Sequence, residues 1–265
     1  MSGRLEMAPS GMAAFARHPA TAAVLSLGIT QIITWGTTLY ALGVLGKPIA
    51  ADTGWGQSLV FGGLTVGLLI SSVVSAYIGR LIDRRGARTV MSVGSVLAAI
   101  GLFALSQVAD PYAYLAVWAF LGLAMRMTLY DAAFAALVQV TPSRGRRAIS
   151  YLTLFGGLAS TVFWPIGHEL NAIYGWRTTL LIFAAINLLV CLPLHWLGLA
   201  RRETEEHAAQ VTAAAGLAAP ADAPLEGAAR SIAMVLFGLI VAASALVIGA
   251  LAVHLLRRGH VEGFQ

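Results

Sequence analysis

Residues 79–88, GRLIDRRGAR, separate two long stretches that carry no charge at all. The stretches cover 57–78 and 89–108, and at ~1.5 Å per residue each helix crosses ~30 Å of hydrocarbon. A chain with this pattern is constrained to a membrane hairpin whose turn holds four arginines and one aspartate at a surface. Arginine-rich turns stay on the cytoplasmic side, so the same ten residues orient the chain.

Hydrophobic residues make up 58% of the chain and charged residues 11%, against roughly 45–50% and ~25% in soluble domains. That excludes a soluble α/β enzyme, whose buried strands run about 4 to 8 residues, and predicts an all-α polytopic membrane protein. Seven spans are expected, at 20–45, 57–78, 89–108, 112–140, 148–170, 178–197 and 231–256. Cys191 is the single cysteine and lies inside an apolar run, which excludes an intramolecular disulfide and a multi-cysteine metal site and leaves packing. The net charge of +5 comes from arginines at the ends of apolar runs, a topology signal and not a nucleic-acid surface. Residues 1–19 have no compact apolar core, so the first span is expected to be the insertion signal. With the N-terminus inside, twelve Lys and Arg residues fall in cytoplasmic segments and four outside, which favours that orientation.

Arg126 lies fourteen residues from either end of the fourth span, where insertion costs ~2.5–3.5 kcal/mol. Two readings fit: a guanidinium facing a water-filled cavity to bind an anionic group, or a buried arginine paired with a neighbouring group. Asp131 follows at a spacing that turns an ideal helix by ~500°, setting the two side chains roughly 140° apart. Each is expected to find its partner on another helix, Arg126 in the cavity with Tyr130 and Asp131 nearer the arginine-rich turn. Thr30, Thr34, Thr37 and Thr38 share one face of the first span beside Gln31, placed to hydrogen-bond a solute or to bridge helices. His168, Glu169, His195 and His254 sit at span ends at different depths, so no metal site is expected. No nucleophile, base and orienting group meet at one depth, so neither an enzyme nor a cofactor is expected.

The spacing of Gly79, Asp83, Arg84, Gly86 and Arg88 resembles the loop between helices 2 and 3 of the major facilitator superfamily of transporters. Residues 79, 83, 86 and 88 recur as Gly167, Asn171, Gly175 and Arg177, with offsets of 88, 88, 89 and 89, as expected of an inverted repeat of three plus three helices. The resemblance implies a six-helix N-terminal bundle at 20–198, a cytoplasmic linker at 199–230, one further transmembrane helix at 231–256 and a tail at 257–265. It also implies a part in proton coupling for Arg126, beside which Asp131, as the only acid well inside a span, is a candidate proton carrier. The loop residues would then form a cytoplasmic latch. Residues 42–56, LGVLGKPIAADTGWG, are similar to bacterial members related to monocarboxylate carriers.

Full members have twelve helices, so a truncated chain is expected. The function implied is secondary active transport of a small solute, an anionic one among the candidates, across the plasma (bacterial inner) membrane by alternating access, with the lipid bilayer and a coupling proton as partners. The alternative is a non-transporting membrane interaction protein, a homo-oligomer or a half that assembles with a complementing chain through glycine-rich faces such as Gly63 and Gly67.

Overall fold

The computed structural model describes residues 19–142 and 145–200, together with Ile232 and Leu236. The chain divides into two compact units at Thr212 and Ala213; in the second, Ile232 and Leu236 are helical. Apart from these two positions, the expected seventh span lies outside the described residues, as do both tails and residues 201–230 of the linker. Among the described residues every regular element is helical.

The first span comprises α1 (Pro19–Thr34), a π-helical turn (Trp35–Leu39) and α2 (Ala41–Thr53). The second is α3 (Gln57–Arg85) and the third α4 (Ala87–Gln107). The fourth is divided into α5 (Pro111–Thr128) and α6 (Tyr130–Val140). Then come α7 (Gly145–Gly157), α8 (Ala159–Ile186), a second π-helical turn (Asn187–Cys191) and α9 (Leu192–Gly198). The start of the fourth span has a local reason. Asp110 accepts from the Ala113 amide at 2.8 Å and Pro111 takes the first helical position, an N-cap followed by a residue with no amide to leave unpaired.

Five stretches are long and apolar enough to cross a membrane, the last running 54 residues from Gly145 to Gly198. That last stretch is two spans folded about Gly175. The Phe163 and Phe183 rings lie 5.7 Å apart, and Gly167 faces Phe183, each eight residues from the glycine. Helical dihedrals continue through Pro165, and only Gly175 departs from them, so the chain reverses at the glycine.

The arginine-rich turn is shorter than its charge run suggests. α3 stays helical through Arg85 and α4 begins at Ala87, leaving Gly86 alone as the turn, with φ 80° and ψ 146°. Gly175 has φ 77° and ψ 165°, in a region essentially closed to residues with a Cβ. The two glycines of the sequence repeat thus make the same one-residue reversal, one at each end of the bundle. A Cβ at Gly175 would meet nothing within 4 Å, so Gly175→Ala isolates the backbone term. It should lower stability by about 1–3 kcal/mol, read from thermal unfolding in detergent.

The repeat extends to the contacts around each glycine. Arg88 donates through Nε to the Trp196 carbonyl at 2.7 Å and stacks 4.0 Å from the Trp196 ring. Arg177 donates to the carbonyls of Ser106 and Val108 at 2.8 and 3.0 Å and stacks 4.2 Å from the Trp176 ring. Each arginine near the start of one span therefore satisfies carbonyls at the end of the other, groups a helix terminus leaves unpaired. Beside them, Gln139 at the end of the fourth span accepts from the Ala87 amide at 2.9 Å. Asp52 at the end of the first span accepts from Trp176 Nε1 at 3.0 Å. Both ends of the bundle are thus three-way junctions of the same design.

α3 packs on α5 through glycines. Trp118 lies over Gly63, and a Cβ at Gly122 would sit 2.2 Å from the Gly67 carbonyl oxygen. Gly63 and Gly67 are buried inside the bundle and are not the outward docking face proposed for them from sequence; small residues serve here to bring two backbones together.

Candidate functional site

The fourth span does not continue as one helix. α5 ends at Thr128, Leu129 is extended with φ −80° and ψ −169°, and α6 starts at Tyr130. The break lies about 17 Å from the Val140 end at ~1.5 Å per residue, inside an otherwise apolar run.

This break corrects the expected geometry of Arg126 and Asp131. On an unbroken helix they diverge, but the extended residue between them re-aims α6, and Arg126 Nη1 donates to Asp131 Oδ2 in an ion pair. Asp131 therefore has its partner on its own span and not on the arginine-rich turn. It does line a cavity of about 120 Å³ with Gly79, Asp83 and Arg126, so the turn motif and the ion pair border one space. The pair is unequally covered: the arginine side chain is 22% exposed and the aspartate 65%.

Gln31 secures the break. It is fully buried, its Nε2 donates to the Thr128 carbonyl at 2.8 Å, and its Oε1 accepts from Trp35 Nε1 at 3.1 Å. One side chain thus satisfies a carbonyl at the end of α5 and orients an indole in the middle of the first span. The Trp35 ring is 5.0 Å from Tyr130 and 5.8 Å from Tyr40, and Tyr130 stacks on Phe134 at 5.0 Å with 14° between planes. All four rings are half-buried. The Tyr130 hydroxyl donates to the Thr153 carbonyl at 3.2 Å, across the gap left by Gly156.

Of the two roles expected of the threonine stripe, the structure shows the one that bridges helices. Thr30, Thr34, Thr37 and Thr38 are fully buried. Their hydroxyls donate to the carbonyls of Leu27, Thr30, Ile33 and Thr34 at 3.0, 2.7, 2.8 and 2.5 Å. The stripe faces the sixth span. Asn187 donates to Thr37 Oγ1 at 2.8 Å, Cys191 meets Thr34 at 4.0 Å, and His195 Nε2 meets Thr30 Oγ1 at 3.0 Å. His195 is fully buried, and its Nδ1 meets Ser95 Oγ at 2.8 Å. Interhelical hydrogen bonds of this kind contribute about 0.6 kcal/mol each on average, so the stripe joins the first, third and sixth spans.

Sequence reasoning missed Trp35 and Tyr40. The available signal was depth: tryptophan favours the membrane interface, whereas Trp35 falls within the first span, four residues from Gln31. His168 and Glu169 are exposed and line an open cleft of about 540 Å³ with Ser160, Thr161, Trp164 and Pro165, apart from the ion pair. The arrangement around Arg126 sets two opposite charges against a small cavity whose other walls include Ile78, Ile82, Ala132 and Ala135.

A curated relative is 28% identical over 155 residues, an uncharacterized 38 kDa protein in the 23S RNA operon of Thermoproteus tenax. The match covers 58% of this chain and 40% of that protein. Residues 24–256 match the sequence profile of the Major Facilitator Superfamily. With apolar helices long enough to cross a membrane and a helical fold throughout the described residues, the chain belongs to the Major Facilitator Superfamily, a family of membrane transporters and not of enzymes.

Proposed function

We propose that this protein serves secondary active transport of a small solute bearing an anionic group, across the plasma membrane and by alternating access. The observation that carries the reading is the Arg126–Asp131 pair at a helix break inside a membrane span. A central arginine and aspartate are costly there, are kept by pairing or by water, and mark solute or ion pathways where they occur. Arg126 receives the anionic group and Tyr130 lines its place. The buried threonines hold the scaffold, and Gln31 holds the break. An anion that takes Arg126 releases Asp131, and the lone carboxylate then needs an incoming positive charge. For a solute that brings only its negative charge, a proton on Asp131 meets that need and couples uptake to the proton gradient.

Gly79, Asp83, Arg84, Gly86 and Arg88 form the latch, with the Gly86 end and the N-terminus cytoplasmic, in keeping with the arginine distribution. Asp83 borders the same cavity as the pair, which supports a connection between latch and site. The full chain, reconstituted in liposomes, should take up labelled carboxylates, tested both plain and amino-substituted. Uptake should fall to background in Arg126→Ala and by at least tenfold in Asp83→Asn with insertion retained. Normal rates in Asp83→Asn would remove the latch; no Arg126-dependent uptake of any carboxylate, from inserted chain, would overturn the site.

A further inference from the structure

We infer that a second copy of this chain docks on the outward face of α8, pairing two chains side by side in the membrane about a two-fold axis along its normal. The pairing is independent of what the Arg126 site binds.

The face is polar where a span that meets only lipid is apolar. His168 and Glu169 lie within the fifth span, near its outer end, and both are exposed, as is Thr161 further in. Ionisable side chains inside a span ordinarily face the bundle or find a partner. Pro165 adds a second need. It has no amide to give the Thr161 carbonyl four residues earlier, and hydrocarbon offers that oxygen no donor. The open cleft of about 540 Å³ along this face has a single wall: among the described residues, every side chain lining it belongs to α8. A small molecule there would keep most of its surface bare, unlike one in a ligand pocket. Another helix laid along the cleft would close it.

The spacing fits such a helix. Leu158, Thr161, Pro165, His168 and Ala172 are all exposed and recur at intervals of three and four residues, the seam of a two-stranded coil. Leu158, between α7 and α8, keeps right-handed helical dihedrals, so the seam runs unbroken for ~21 Å. Thr161 and Ala172 belong to the small residues that let membrane helices approach closely.

Complementarity selects the occupant. His168 stands in the seam, and Glu169 flanks it at nearly the same depth. An axis along the membrane normal brings equal depths together, so the imidazole N–H of each copy meets the carboxylate of the other and both bonds form at once. An unrelated partner would have to bring a donor and an acceptor to that depth, whereas this face already carries both.

Energy transfer between full chains labelled at the N-terminus with donor or acceptor, reconstituted together in liposomes, measures the pairing. It is expected to persist as lipid is added. Glu169→Ala should weaken it at least tenfold, and Glu169→Gln, which keeps an acceptor for the imidazole, should weaken it less. In chains carrying Cys191→Ala, Ala172→Cys in the seam should join two chains under copper-catalysed air oxidation. Ile166→Cys, turned ~120° from it on the same helix, should do so at least tenfold less. Thermal unfolding checks that each variant is folded. Energy transfer no greater than that of chance encounters, or equal disulfide yields from the two positions, would overturn the pairing. So would a cross-link from Ala172→Cys to a protein of different mass in native membranes, which would give the face to another partner.

Discussion

Gly122→Val should unfold the bundle more than any other single substitution considered. The added Cβ would lie 2.2 Å from the Gly67 carbonyl oxygen, and the obstacle is backbone in the middle of a helix, which has no rotamer to retreat into. α3 and α5 must then separate, and Trp118 loses its seat over Gly63. A cost of about 3 kcal/mol, the upper end for overpacked cores, is expected. Thermal unfolding followed by tryptophan fluorescence would measure it. Gly157→Ala is the control, because a Cβ there meets nothing within 4 Å, and it should leave the transition in place. Equal shifts in both variants would mean that helix propensity, and not the close approach, governs this packing.

Gly156→Val should lower transport strongly with little effect on folding. A Cβ at Gly156 would lie 1.9 Å from the Tyr130 hydroxyl oxygen, so the phenol has to leave the Thr153 carbonyl and swing its ring away from Trp35 and Phe134. Only one weak hydrogen bond and two ring contacts hold it there, so the scaffold can tolerate the change. Uptake should fall by at least tenfold while the unfolding transition moves little. Unchanged uptake with a displaced tyrosine would exclude Tyr130 from the solute's path.

The hairpin at Gly86 and the order of the spans were legible because charge and apolar length are local properties. The echo at Gly175 was legible too, since a one-residue reversal needs glycine and the sequence supplies it twice. The break at Leu129 was not. No proline or glycine marks it: MRMTLYDA, residues 125–132, reads as uninterrupted helix, and the extended Leu129 is set by contacts from other spans, Gln31 on Thr128 and the ring stack on Tyr130. Arithmetic for an ideal helix therefore gave the wrong faces for Arg126 and Asp131. The threonine stripe left two roles open for another reason. A polar face has the same period whether it lines water or a partner helix, and the deciding clue lay in the sixth span, where Asn187, Cys191 and His195 repeat every four residues to match it.

The matching junctions at Gly86 and Gly175 bear on where any preference between inward and outward opening could originate. A frame braced alike at both ends resists opening equally at either, so heat or a change in bilayer thickness would loosen both together. The two ends differ in what surrounds the shared contacts. Arg80, Arg84 and Arg85 crowd the last turns of α3, whereas positions displaced by 88 or 89 residues hold His168, Ala172 and Tyr174. Asymmetry of access, for a transporter that alternates between two faces, then resides in a few exposed charges that could be exchanged without disturbing the frame. Evolution could reset the resting state of such a protein through its surface while leaving its architecture alone.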